Sequence, residues 1–305
     1  MKTRLPYSDV ELMKKIPCSK EELLMFKKVR EETLKEAAAY KKRYFSKQIK
    51  ILGISGSMRA KDDCPKEDST TEFLLKAALK KANQLGARTE LLKLREYEIR
   101  PCKGCYSTTN TQCHFPCSCY PFGEYGDDMT NKLYWKVLDA DGIIWATPVH
   151  NFKISSLMAL FLDRLISMDG SLRPANLNDI KNKELNIKHT KFIELTADDK
   201  IFGSGFLRRF IGKVAGIIVS GHEVGASLTI SSLFMTLNHF GMIFPPFSNI
   251  YAINTVCEGT YHDSKKLKSE CYLKEAERLA ENIITTIKIV KQNPRLFWKY
   301  DQKSN

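Results

Sequence analysis

The chain contains no run of about 18 or more apolar residues, the length a membrane-spanning helix needs, so no transmembrane segment is expected. It starts Met1-Lys2-Thr3-Arg4 and lacks the apolar core of a secretory signal. A cytoplasmic protein is expected. No internal repeat and no low-complexity tract is present. No aromatic-interleaved basic block or known nucleic-acid motif appears either. The net charge is nevertheless +13, from 48 Lys+Arg against 35 Asp+Glu. The lysines are spread over helix faces among glutamates, so the charge reads as a basic solvated surface that attracts anionic cofactors. Nucleic acid is not an expected partner.

What is present is enough for one large domain with additions: 305 residues, of which 43% are hydrophobic. Nine cysteines occur. Cys102, Cys105, Cys113, Cys117 and Cys119 crowd together, whereas Cys18, Cys64, Cys257 and Cys271 are scattered. In a chain without an export signal, such a cluster points to metal or redox chemistry more than to a disulfide framework.

Residues 1–48 read as a helical arm. Ser19-Lys-Glu-Glu22 is a capping-box signature, and Leu23, Leu24, Phe26, Val29 and Leu34 recur at helical spacing. From Ile49 a strand–helix alternation sets in. Strands are expected at 49–54, 88–94, 142–147, 213–219 and about 247–253; helices at 70–85, 128–139, 154–168, 226–240 and 267–291. Continuous apolar strands alternating with helices predict a doubly wound α/β fold, a flavodoxin-like five-stranded parallel sheet of order 2-1-3-4-5. The expected division is an arm (1–48), a core domain (49–292) and a tail (293–305). The core carries a cysteine loop (101–121) and, before the fourth strand, an insertion (170–212). Within the insertion, Lys191-Phe-Ile-Glu-Leu-Thr196 reads as an extra strand, and the whole segment as a lid or an oligomer contact.

Three loops fall at the carboxyl ends of strands, where open parallel sheets bind ligands. The first runs from Ile49-Lys-Ile-Leu-Gly-Ile-Ser-Gly-Ser-Met-Arg59 to Ser69-Thr70-Thr71, which opens a helix. A strand that turns through small hydroxyl residues into a helix N-terminus is an anion cradle. Gly56 permits close backbone approach, and Arg59 supplies a fork suited to phosphate. The second loop, Thr147-Pro148-Val149-His150-Asn151-Phe152, offers N–H groups and an aromatic to a flat ring. The third is Ser220-Gly221-His222-Glu223-Val224-Gly225. His150 and His222 are the catalytic candidates, although a lone histidine in such a loop is more often structural.

Four segments carry a resemblance: Gly53-Ile-Ser-Gly-Ser-Met-Arg59, Leu94-Arg-Glu-Tyr-Glu-Ile-Arg-Pro-Cys-Lys-Gly-Cys105, Asp127-Asp-Met129 and Ala140-Asp-Gly-Ile-Ile-Trp-Ala-Thr-Pro-Val149. With Leu157-Met-Ala-Leu-Phe-Leu-Asp-Arg164, they make the core resemble the NAD(P)H-dependent FMN reductases of the flavodoxin-like superfamily, nearest the iron–sulfur flavoprotein branch. The resemblance implies FMN as cofactor. Its phosphate would lie on Ser55, Ser57, Arg59, Ser69, Thr70 and Thr71. Its ring would lie against Pro148, Val149, His150, Asn151 and Phe152, with Gly221, His222, Glu223 and Gly225 nearby. Two departures stand out. Extra residues separate Arg59 from the helix, and His150 stands where the family usually has Tyr.

The resemblance also implies a cysteine pattern C-x2-C-x2-C followed by a fourth cysteine, holding a [4Fe–4S] cluster. Cys102 and Cys105 match it, Thr108 occupies the third position, Cys113 matches the fourth, and Cys117 and Cys119 are additional. Four readings stand side by side: a [4Fe–4S] cluster on four of the five, a zinc site from the same thiolates with His114, a thiol–disulfide pair, and free buried thiols. The expected function is an FMN-dependent oxidoreductase. It would pass electrons from NAD(P)H or a ferredoxin-like donor to a quinone, another small acceptor or a protein partner. The alternative is a flavodoxin-like electron carrier without its own NAD(P)H turnover. A homodimer or homotetramer is expected from the same resemblance.

Overall fold

The computed structural model describes residues 5–60, 62–64, 66, 68–108, 113–123, 126–198, 200–222, 225–254 and 267–296. Two helices make the arm, α1 (Asp9–Lys15) and α2 (Lys20–Phe45). Each starts with a reciprocal capping box, Ser8 with Glu11 and Ser19 with Glu22. In both, the serine hydroxyl accepts from the glutamate N–H while the glutamate carboxylate accepts from the serine N–H, which satisfies two otherwise orphaned donors.

The core then alternates as expected. Its elements are β1 (Lys50–Ser55), α3 (Thr70–Gln84), β2 (Arg88–Lys93), α4 (Cys105–Thr108), α5 (Tyr134–Asp139), β3 (Gly142–His150), β4 (Lys153–Ile154), α6 (Ser156–Leu165), α7 (Lys183–Thr196), β5 (Val214–His222), α8 (Ala226–His239), β6 (Asn249–Asn254) and α9 (Glu270–Gln292). The sheet order is β2-β1-β3-β5-β6, with every pair along that path parallel. Counting the parallel strands alone, this is the flavodoxin-like order 2-1-3-4-5, whose switch point lies between β1 and β3. The additional β4 is a two-residue antiparallel return on the end of β3.

Helices cover both faces, which is why β1 and β3 read as apolar runs rather than alternating patterns. On one face Val137, Met158, Phe161, Leu165, Leu233 and Leu237 pack around Trp145. On the other, Leu74, Leu75 and Ala78 of α3 meet Leu279, Ile283 and Ile287 of α9. Each of the fully buried Leu, Ile, Phe, Val and Met side chains contributes about 1.5–3 kcal/mol. No described helix is long and apolar enough to cross a membrane.

Residues 191–196 correct the strand expected there: they are the last turns of the helix α7. Asn182 caps that helix, its side chain accepting from Leu185 N at 3.0 Å. Leu185, His189, Phe192, Ile193 and Thr196 are buried on one helical face, and Leu185, Phe192 and Ile193 pack with Leu23 and Phe26 of α2. The adjacent Phe192 and Ile193 suggest a strand locally, but the longer period governs. The insertion is therefore not a separate flap. It completes a small helical layer with the arm, tied by Lys188 to Glu22 at 2.9 Å and by Arg30 to Thr196 O at 3.2 Å. Helix α5 also begins with a wider turn than expected, a π-type stretch over Met129–Leu133.

Candidate functional site

The anion cradle forms at the carboxyl end of β1, beside the switch point. Ser55 closes the strand and is fully buried. The next residue, Gly56, comes so close to α6 that an added Cβ would lie 2.8 Å from Ser155 Oγ and 2.9 Å from Met158 Cβ. The missing side chain thus serves packing between loop and helix. Ser155 Oγ donates to Gly56 O at 2.7 Å and accepts from Met158 N, capping α6 with the same hydroxyl that pins the loop. Ser57 Oγ accepts from Arg59 N at 3.3 Å, which tightens the turn. Arg59 itself is exposed, and among the described residues no side chain pairs with its guanidinium.

Across the loop, Ser69 caps α3 by accepting from Glu72 N at 3.3 Å. The Thr70 and Thr71 N–H groups belong to the first helical turn, where no intrahelical acceptor exists. Two more hydroxyls of the expected set are also engaged within the protein. Thr71 Oγ1 and Ser220 Oγ share a hydrogen bond at 2.5 Å, joining α3 to the end of β5. Ser55 Oγ donates to Glu72 Oε1 at 3.1 Å. The flap between Arg59 and Ser69 turns one of its acids back on itself: Asp63 accepts from Ala60 N at 2.5 Å.

The second and third loops meet next to the cradle. Strand β3 runs on to His150, turns at Asn151 and Phe152, and returns as β4 through Val149↔Ile154 and His150↔Lys153. Both turn residues have positive φ, 47° and 66°, the signature of a two-residue hairpin of the primed type. An aromatic residue rarely adopts that conformation, and Phe152 is 58% exposed in it. Gly225, at φ 95°, lies directly against it: a Cβ there would sit 2.5 Å from Phe152 Cα. Pro148 stands opposite Ser220 across the β3–β5 pairing, and Gly221 faces Val149. The imidazole of exposed His150 has no hydrogen-bond partner among the described residues. His222 ends β5, and Glu223 lies outside the described residues. The fourteen described residues of the set assigned from the sequence therefore trace to three neighbouring loops at one sheet edge.

Several partners were not legible in the sequence. Arg95, just after β2, pairs with Glu72 through both guanidinium nitrogens, and its Nη1 also donates to Ser57 O at 3.2 Å. Arg164 of α6 pairs with Asp127 at 2.7 and 2.8 Å, with both side chains buried. Burial alone would raise the Asp127 carboxyl, but the Arg164 hydrogen bonds and charge, together with the Arg100 and Thr130 N–H groups, outweigh it and hold the group below the usual range.

The Arg164 guanidinium also stacks 4.6 Å from the Tyr120 ring, inside the cysteine loop. There the Cys105 and Cys119 sulfurs lie 2.9 Å apart. The Cys117 thiol is lowered, first by its hydrogen bond with Cys119, with the Arg164 charge adding to the effect. The Cys119 thiol is raised by the same contact. Cys113 is different: burial pushes its thiol up to about 12. His114 Nδ1 contacts Ser118 Oγ at 2.6 Å. The fit to a metal centre is incomplete. Thr108 stands at the third position of the pattern, and among the described residues no three His, Cys, Asp or Glu side chains form a metal-holding group.

Residues 49–185 match the family model described as NADPH-dependent FMN reductase. Over this segment, less than half of the chain, the sequence is similar to that family. An iron–sulfur flavoprotein of Archaeoglobus fulgidus is 36% identical over 115 residues, covering 37% of this chain and 49% of that protein. The iron–sulfur flavoprotein of Methanosarcina thermophila is 32% identical over 118 residues, 39% of this chain and 53% of that one. The chain thus spans about half the length of the curated relatives it matches. Among solved structures, RosB with a bound riboflavin-phosphate intermediate superposes with a TM-score of 0.56 at 21% identity, covering 81% of each chain. At that identity the likeness is one of fold. The matched segment includes the cradle, the cysteine loop and the β3–β4 hairpin; α8, α9, the arm and most of the insertion lie outside it.

Proposed function

We propose that the chain binds FMN at this sheet edge and acts as a flavin oxidoreductase. The observation that carries the reading is the meeting of an anion cradle with a rigid hairpin at the β1–β3 switch point, where doubly wound sheets bind ligands. The names of the curated relatives support it. The Thr70 and Thr71 N–H groups, the α3 dipole and the exposed Arg59 would hold the phosphate. The backbone of 148–152 would hold the ring edge, and Gly225 lets the two loops close on each other without a side chain between them. When bound, FMN supplies hydride acceptance and one- or two-electron transfer. The protein contributes position and N–H groups that favour negative charge near the ring.

NAD(P)H or a ferredoxin-like protein is the proposed donor. A quinone, another small molecule or a protein is the proposed acceptor. The proposed electron path runs through the flavin; a [4Fe–4S] cluster on the cysteine loop would add a one-electron relay to it. A cytoplasmic setting and assembly into two or four copies belong to the same reading. The exposed Leu228, Met235 and Phe247 are consistent with assembly.

The test is anaerobic purification with a visible spectrum, flavin and metal analysis, and NADH or NADPH oxidation with a quinone. A stoichiometric FMN spectrum bleached by NAD(P)H is expected. A colourless protein with no FMN affinity would reject the reading. FMN that only reduced ferredoxin bleaches would assign the chain to electron carriers instead.

A further inference from the structure

The cradle contains a feature that an anion site should not tolerate. Glu72 is the third residue of α3, and its side chain is only 6% exposed. Its carboxylate occupies the region where the helix dipole favours negative charge, and it takes the hydrogen bond of Ser55 Oγ at 3.1 Å. A second anion placed on the neighbouring Thr70 and Thr71 N–H groups would face this carboxylate across a short, poorly solvated gap. Two like charges in such a setting oppose each other strongly.

Arg95 answers that charge. It is 15% exposed on its side chain, and both guanidinium nitrogens reach Glu72, the Nη2–Oε2 distance being 3.3 Å. The same Nη1 holds Ser57 O at 3.2 Å, so the cation is locked between the acid and the phosphate loop. Both terminal nitrogens of its fork are engaged by these contacts. The Glu72 hydrogen bond also holds the Arg95 guanidinium above its ordinary value, which keeps it charged.

We propose that Arg95 is a positioning and specificity-determining residue of the cradle. By neutralising Glu72 and fixing the Ser57 carbonyl, it lets the site accept a phosphate ester, and so selects FMN over riboflavin. This rests on the FMN reading above.

The experiment is a cycle of Arg95→Met, Glu72→Gln and the double variant, each titrated with FMN and with riboflavin by flavin fluorescence. Arg95→Met exposes the Glu72 charge to the phosphate, so FMN affinity falls by about tenfold or more while riboflavin affinity holds. The FMN-to-riboflavin preference collapses accordingly. Adding Glu72→Gln to Arg95→Met restores most of the preference, because the charge that needed neutralising is gone. Riboflavin binding reports whether each variant folds, and the double variant carries no unpaired acid. An unmoved preference in Arg95→Met overturns the assignment. So does a preference that Glu72→Gln fails to rescue, which would make Arg95 a direct phosphate ligand. A wild-type protein that binds neither flavin overturns the FMN reading itself, whereas FMN binding with a flat cycle overturns only the role of Arg95.

Discussion

Replacing Gly225 by Ala separates the architecture of the ring-facing loops from ordinary backbone strain. Gly225 combines φ of 95° with a forward contact: the new Cβ would lie 2.5 Å from Phe152 Cα and 3.0 Å from its carbonyl carbon. Carbon atoms settle at about 3.5–4.0 Å, so the hairpin must retreat by about 1 Å. A left-handed alanine costs about 1–2 kcal/mol by itself, and forcing extra volume into a packed contact adds about 1–3 kcal/mol. Gly86 provides the control. It has φ of 88° but nothing within 4 Å of its virtual Cβ. Gly86→Ala therefore carries the backbone cost without the collision.

The expected result is a split between the two variants. Both lower the urea midpoint, Gly225→Ala by about twice as much as Gly86→Ala. Only Gly225→Ala weakens FMN, by about tenfold or more, the loss expected when one ring-edge hydrogen bond loses its geometry. Equilibrium urea unfolding and flavin fluorescence titration read the two quantities separately. If Gly225→Ala binds FMN within twofold of wild type, the 148–152 hairpin is not a ring platform. Equal losses of affinity in both variants would show that general loosening, not displacement of the hairpin, controls binding.

Three further outcomes test other parts of the structure. Replacing Ser57 by Ala and Arg59 by Gln together should weaken FMN by about 10–100-fold, since contacts to a charged phosphate are the stronger class; unchanged affinity would remove the phosphate from this cradle. Arg164→Met leaves the buried Asp127 carboxylate without its partner and should cost about 3–5 kcal/mol in urea unfolding, while a double change with Asp127→Leu recovers much of it. His189 is buried in the α2–α7 layer, stacked 5.2 Å from Phe26, and burial first and the facing His114 second lower its imidazole to about 3. Its folded value lies below the unfolded value of 6.5, so its contribution is complete above pH 6.5 and is lost as pH falls from there toward 3. Between pH 6.5 and 4.5 the loss should reach about 2–3 kcal/mol, and His189→Phe should remove it from the pH profile of stability.

The strand order was legible because β3 and β5 lie in the middle of the sheet and are covered on both faces, which leaves continuous apolar runs in the sequence. The end of β3 was less legible. Val149 and His150 pair with β4, and a two-residue return creates no periodicity to read. Phe192 and Ile193 misled for the opposite reason: a β-like pair sits inside a helix whose four-residue spacing shows only when Leu185, His189 and Thr196 are counted. At the site, the Ser/Thr-rich turn and the glycines carry local signals, so the three loops could be named. Glu72 and Arg95 carry none. Each looks like an ordinary surface charge in the chain, and only the β1–β2 pairing brings them together.

The same long-range logic changes what the arm and insertion do. Glu36 of α2 accepts from Arg209 at 2.8 Å and from Arg173 at 3.0 Å, and Tyr40 donates to it at 2.6 Å. Burial would raise this carboxyl, but the Arg209 charge and hydrogen bond outweigh it. Arg209 is itself 3% exposed and lies 4.0 Å from the Phe115 ring, while Phe115 N donates to Leu172 O at 3.1 Å. Phe115 sits between Cys113 and Cys117. The cysteine loop is therefore held on one side by Arg164 of α6, whose first turn pins the phosphate loop through Ser155. On the other side it is held by an arginine that depends on the arm for its counter-charge. A buried cation without its partner is costly, so the arm cannot leave without disturbing Arg209, and Arg209 cannot move without disturbing Phe115. The segments outside the family match thus support the conformation of the one loop in which this chain departs most from the family's cysteine pattern.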